Sequence, residues 1–347
     1  MSINTWWTKM SGAAHFLKTI SNCALDGDSV IIKNCSAIPF FDDMVKLIKE
    51  RIARKSANIS VERLNAYSLG ERDIDDFFAI ECCPDETYFP RKNFNKTDFL
   101  VQSKTFRYRN AVVIISDADK NNENKLIDFF SGYCRKACKI HDRMRLILFV
   151  KDNIKIRQLR GCRIIDYADY ATEYDYYVYC HLLMTEFSGV EFNATIKQYI
   201  AELVALLCKE KLERCREVLY EPLRLAKDTY NYLEELFPGE YSQGEISKCL
   251  WRAQIKYLFP VLERFRCELA ERWNNKLSIA LPFIVPYGET INKAEELELA
   301  NIHYINKKHH FLPLNEEEKL KKYIDMRNDL AHMKPTSYDN VALCLQG

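Results

Sequence analysis

The feature that most constrains this fold is a change of hydrophobic period near residue 190. Before it, five short aliphatic runs, at 29–34 (SVIIKN), 63–68, 111–116 (AVVIIS), 145–150 (RLILFV) and 163–166, alternate with helical patterns. Runs that are apolar at nearly every position suit strands buried on both faces, and their alternation with helices predicts a mostly parallel sheet flanked by helices. After Gly189 the sequence is almost continuously of helix period. Ile196, Ile200, Leu203 and Leu207 make one stripe, and Ile246, Leu250, Ala253, Tyr257, Val261 and Leu262 begin another, with a kink expected at Pro260. The expected organisation is an α/β domain over residues 1–189 followed by an all-α bundle over 190–347.

With 347 residues, 48% of them hydrophobic and 12% aromatic, the chain can bury two cores and is not a disordered one. Its 13 cysteines are odd in number and scattered, without CxxC pairs near histidine, so they read as reduced thiols of a cytosolic protein. Neither a metal site nor a cofactor is expected. The first 20 residues lack a secretory apolar core and no run of eighteen apolar residues occurs, so a soluble, cytoplasmic protein with no membrane partner is expected. The formal charge of +1 gives no global attraction to nucleic acid, so any RNA contact has to be local.

Residues 315–333 read as one amphipathic helix. Asn315 is placed to cap it with Glu318 at the capping-box position, Glu316 and Glu317 suit its N-terminus, and Pro335 follows its end. Leu320, Tyr323, Ile324, Leu330 and Ala331 make the apolar stripe, and continuing the period through Ile324 puts Arg327 on the same face. A guanidinium there needs a partner, a ligand or a subunit interface. Asn328 is adjacent and His332 stands five residues after the arginine. Imidazole titrates near neutrality and can take the proton of a ribose 2′-hydroxyl or protonate a leaving 5′-oxygen, while arginine offers donors to phosphorane charge. Five helical residues separate two side chains by about 140°, so two copies of the helix are better placed than one to address a single phosphate.

Arg327, Asn328 and His332 resemble the signature of the HEPN family: an arginine, a polar residue that is asparagine, aspartate or histidine, and a histidine four to six positions after the arginine. The resemblance covers roughly the last hundred residues. It implies a helical domain that homodimerises to form a composite, metal-independent RNase site leaving a 2′,3′-cyclic phosphate, with Arg327 stabilising charge, His332 moving the proton and Asn328 positioning them. A tyrosine two residues after the histidine, the modification site of some members, is replaced by Lys334. Arg135 to His141 fits the loose spacing without the polar second residue. Family members joined to sensor-like domains imply a conditional endoribonuclease of a prokaryotic antiphage defence or toxin system. The alternative is a non-catalytic HEPN-like module that dimerises and scaffolds a defence complex.

The first half resembles P-loop NTPases of the signal-transduction (STAND) type in layout. The 111–116 run ends in Asp117, like a Walker B strand, but the segment from Asn34 to Pro39 has neither the glycines nor the lysine of a phosphate loop. A degenerate sensor or docking domain for a protein partner or trigger is expected, without ATP hydrolysis. Asp117 and Asp119 leave open a Toprim-like, metal-dependent nuclease, although the glutamate that fold needs after its first strand is missing. Lys104, Arg107 and Arg109 around Phe106 and Tyr108, and Lys151, Lys155, Arg157 and Arg160, are the candidate RNA-contacting groups, the alternative being a basic rim on the α/β domain. His309 and His310 read as an exposed loop, and Trp6 and Trp7 as an anchor onto the chain's own core or a partner.

Overall fold

All five aliphatic runs enter one sheet in the computed structural model, which describes residues 5–69, 73–118, 120–137, 139, 141–151, 161–186, 192–209, 211–285, 288 and 290–346. The strands are β1 (Ser29–Lys33), β2 (Ser60–Asn65), β3 (Ala111–Ser116), β4 (Arg145–Phe149) and β5 (Cys162–Asp166), ordered β2-β3-β4-β1-β5. Every pairing is parallel. The second strand starts and ends earlier than its sequence pattern indicates, because the chain turns into a short 3-10 segment at Ala66. The two compact units are Met1–Tyr179 and Cys180–Gly347, dividing the chain before the change of pattern near residue 190.

The helices of the first unit are α1 (Thr5–Lys9), α2 (Ser11–Leu25), α3 (Phe41–Lys55), α4 (Ile74–Asp76), α5 (Lys96–Gln102) and α6 (Lys120–Ala137), with α7 (Glu173–Glu186) running across the boundary. They cover both faces of the sheet. Ile31, Val113, Ile115, Leu146 and Leu148 share one face and pack with Phe78, Phe99 and Phe130. Val30, Ile32, Val112, Ile114, Ile147 and Phe149, of opposite parity, are buried on the other, where the Phe41 ring of α3 meets Phe149 edge-on at 4.8 Å. Burial on both faces explains why β3 and β4 carry unbroken apolar runs, Ala111 to Ile115 and Leu146 to Phe149, while the edge strand β2 tolerates Glu62 and Arg63. Trp6 and Trp7 anchor inward, as one reading expected: Trp6 packs on Tyr176 and Tyr179, and Trp7 Nε1 donates to the Phe40 carbonyl at 3.2 Å.

Among its described residues, the second unit is helical apart from loops and a two-stranded ribbon of β6 (Phe283–Ile284) and β7 (Thr290–Ile291). Its helices after α7 are α8 (Ala194–Leu207), α9 (Cys215–Val218), α10 (Pro222–Lys227), α11 (Thr229–Leu236), α12 (Gln243–Arg272), α13 (Asn274–Leu277), α14 (Leu299–His309), α15 (Leu314–Ala331) and α16 (Tyr338–Gln346). Ile196, Ile200, Leu203 and Leu207 of α8 are all buried, as their spacing predicts. The long α12 starts at a capping box between Ser242 and Glu245 and continues as one helix through Pro260. Its buried face is Ile246, Ala253, Leu258, Leu262 and Leu269, while Leu250, Tyr257 and Val261 of the expected stripe are only half-buried. No described helix is long and apolar enough to cross a membrane.

Candidate functional site

The motif helix α15 begins at Leu314, one residue before the expected cap. Pro313 occupies the cap position and no side chain caps the helix, so Asn315 lies inside the first turn. Its buried stripe is Leu320, Tyr323, Met326 and Leu330. This corrects the placement of Arg327: Leu320 is common to two candidate stripes, and the one through Tyr323 and Met326 faces the core. Ile324 and Arg327 lie half-buried on its edge, and Ala331 is exposed. Arg327 therefore avoids the desolvation that a core guanidinium would suffer. Its side chain is 37% exposed and its Nη2 pairs with Glu298 Oε2 at 2.8 Å. Asn328 and His332 are exposed.

A helical hairpin creates the Arg327–Glu298 pair. His310 in the left-handed conformation ends α14, and the buried Asn306 accepts the N–H groups of Phe311 and Leu312 through Oδ1, at 3.1 and 2.8 Å. The chain then reverses into α15, which packs along α14 and brings Arg327 to Glu298. Glu298 is the N-cap of α14, yet its side chain makes no capping bond. Arg266 of α12 fixes the backbone before it, donating to the carbonyls of Glu295 and Leu297 at 2.6 and 3.2 Å.

The same hairpin holds His303, whose Nε2 is buried without a partner. Burial, then Lys307 and Lys321, pushes its pKa below the usual histidine value, against opposing effects of Glu317 and Asp325. A depressed folded-state pKa means that the unfolded chain binds the proton first. The associated stability is thus complete above the ordinary value of 6.5 and is lost as pH falls through the folded-state value. Denaturant titrations from about pH 7 to 5 are expected to show a downward slope in stability that is reduced in His303→Gln.

His332 follows the last turn as its C-cap. The Met333 N–H donates to the Leu330 carbonyl at 3.2 Å and the Lys334 N–H to the Asp329 carbonyl at 2.8 Å, a Schellman closure with Met333 at φ 57°. A position of that conformation favours glycine. Met333→Gly is expected to raise the stability of the second unit by about 1 kcal/mol, measured by chemical denaturation. Two side chains of α12 pin this helix end: Trp251 Nε1 donates to the Leu330 carbonyl at 2.8 Å, and the buried Gln254 both accepts from the Thr336 N–H at 2.7 Å and donates to its carbonyl at 2.9 Å. The motif is thus carried on a rigid seat with its polar groups outward, an arrangement able to offer a guanidinium and an imidazole to a phosphodiester. Glu298, Trp251 and Gln254 carry no sequence signal of their roles because they reach the motif only through tertiary packing.

The expected basic RNA-contacting groups are engaged differently. Phe106 and Tyr108 are buried in the core of the first unit, so bases cannot stack on them. Arg109 forks onto Asp142 at 2.5 and 3.2 Å and donates to the Ser103 carbonyl, while Arg107 pairs with Glu62 at 3.0 Å. Lys104 is exposed, its backbone N–H held by Glu86. Lys155, Arg157 and Arg160 lie outside the described residues, as does Asp119.

Ligands of open parallel sheets bind beyond the strand C-termini where the strand order reverses, here beside β1. There the loop after β1 turns its backbone donors onto the protein's own carbonyls. The Cys35 N–H donates to the Val150 carbonyl at 3.2 Å, and the N–H groups of Ala37 and Ile38 donate to the carbonyls of Asn34 and Cys35. Backbone donors that would cradle a phosphate are therefore consumed within the protein, in agreement with the missing glycines. Burial, reinforced by Glu123, pushes the Cys35 thiol up to about 11, which disfavours the thiolate. Asp117 accepts from Ser116 Oγ at 2.8 Å and lies 3.8 Å from Arg63, which also pairs with Asp42 at 2.6 Å. An arginine thus supplies positive charge where a Toprim-like site would hold its cation. Among the described residues, no group of three or more histidine, cysteine or acidic side chains is arranged to bind a metal.

The sequence matches no family model and no curated protein. Among solved structures, the chain is similar to Cdc6p from Pyrobaculum aerophilum at 12% identity and TM-score 0.39, over 99% of this chain and 97% of that one. It is also similar to Drosophila ORC bound to DNA at 10% identity and TM-score 0.34, over 96% of this chain and 85% of that one. Scores this low mark a likeness too loose to transfer any property of those proteins.

Proposed function

We propose that this chain is a metal-independent endoribonuclease of the HEPN type, acting conditionally in a prokaryotic antiphage defence or toxin system. The observation that carries the reading is the outward presentation of one motif by one helix: Asn328 and His332 are exposed and Arg327 is half-exposed at the pinned end of α15. His332 moves the proton between the ribose 2′-oxygen and the leaving 5′-oxygen, and Arg327 stabilises the charge on the phosphorane. Asn328 positions them, and a second copy of the chain completes the site by homodimerisation. The first unit serves as a sensor or docking platform without nucleotide hydrolysis. Single-stranded RNA labelled at one end and incubated in EDTA is expected to be cleaved by the wild-type chain and about 10²- to 10³-fold more slowly by Arg327→Ala. Equal cleavage by both proteins overturns the assignment.

A second reading is a scaffold in which the helical unit dimerises without chemistry. The ion pair between Arg327 and Glu298 favours it, because the arginine already has an anionic partner within the chain. Under that reading no RNA is cleaved with any trigger, and Arg327→Ala alters only assembly.

A further inference from the structure

We infer that Glu298 is the built-in competitor of the substrate phosphate for Arg327, and so tunes how readily the site takes an RNA backbone; the inference rests on the nuclease reading of the motif. Three observations converge. The Glu298 carboxylate occupies a terminal nitrogen of the Arg327 guanidinium at 2.8 Å, the edge a phosphate oxygen would use. It does so instead of capping its own helix, since Glu298 stands at the N-cap of α14 without a side-chain bond to that helix. The backbone just before it is held by Arg266, whose side chain is 15% exposed and donates to the carbonyls of Glu295 and Leu297.

Both partners of the pair are solvated, with Arg327 37% and Glu298 50% exposed. A pair of that exposure is weak and screened by salt, so a phosphodiester carrying a full negative charge can displace the carboxylate. The carboxylate meanwhile neutralises the arginine and repels an approaching phosphate. Release also leaves Glu298 free to turn back onto the uncapped N–H groups of α14, which compensates for the lost pair. Glu298 is thus a specificity-determining residue that sets a threshold of anion strength, rather than a group that touches the reacting atoms.

The test uses the full chain and a fluorescein-labelled 2′-O-methyl oligoribonucleotide, which keeps the phosphate backbone but lacks the nucleophilic hydroxyl. Anisotropy titrations at low salt compare wild type, Glu298→Gln, Arg327→Ala and the double variant. The glutamine keeps the shape of the side chain, and Glu298→Asp, a shorter carboxylate, serves as a second variant. Glu298→Gln is expected to tighten binding about two- to fivefold, with a smaller gain in Glu298→Asp and none once Arg327 is also Ala. Unchanged or weaker binding by Glu298→Gln, or a gain that survives Arg327→Ala, overturns the inference. Cleavage of unmodified RNA by the same proteins decides the nuclease reading separately: an Arg327-dependent gain in binding without cleavage leaves the competitor role standing and removes the nuclease.

Discussion

His332→Ala is expected to slow RNA cleavage by about 10²- to 10⁴-fold, the usual contribution of a positioned proton-transfer group, while leaving the fold intact. The second half of that expectation follows from exposure: His332 is a surface residue beyond the last helical turn, and its backbone bonds to Asn328 and Asp329 survive any side-chain change. Arg327→Ala should cost about 10²- to 10³-fold, as removal of a donor aimed at developing oxyanion charge does. If Arg327 served only to hold Glu298, its removal would cost less than about 1 kcal/mol of stability and nothing in cleavage, because both partners are exposed. Single-turnover rates together with melting curves separate these outcomes.

The largest expected loss of stability is at Gln254. This side chain is 1% exposed and its amide satisfies both backbone groups of Thr336, itself 8% exposed, across a separation that joins α12 to the segment after the motif. Gln254→Leu keeps the bulk but strands a buried N–H and a buried carbonyl, each costing about 1–3 kcal/mol, so the second unit should lose about 2–5 kcal/mol in chemical denaturation. A loss below about 1 kcal/mol would show that water replaces both bonds and that the helix end is not pinned as described. Because Thr336 follows His332 closely, the same variant should also reduce cleavage without altering any group that touches RNA.

The parallel sheet was legible because β3 and β4 are buried on both faces and so carry unbroken apolar runs, Ala111 to Ile115 and Leu146 to Phe149. The edge strand β2 was misplaced for the same reason in reverse: none of its positions is fully buried, so Glu62 and Arg63, on opposite faces, dilute the signal. In the helical unit, the four-residue stripe expected for α8 is buried, although Ala201 and Ala205 are buried beside it, whereas α12 is contacted on several sides and its inward positions do not follow one clean period. The motif residues were found from spacing, but their orientation was not. Leu320 fits a stripe through Ile324 and Arg327 as well as one through Tyr323 and Met326, and only the tertiary packing of α15 selects the second. Glu298, Trp251 and Gln254 carry no local pattern, since each meets the motif from another helix.

The central claim, that an imidazole and a guanidinium on α15 perform 2′-hydroxyl attack without a metal, is tested most directly by the chemistry of the cut. Wild-type protein with single-stranded RNA in EDTA, its products analysed by mass spectrometry, should yield 2′,3′-cyclic phosphate ends, with no cut at positions carrying 2′-O-methyl groups. A magnesium requirement, products ending in a 3′-hydroxyl, or activity that disappears in Asp117→Ala and persists in His332→Ala would contradict it.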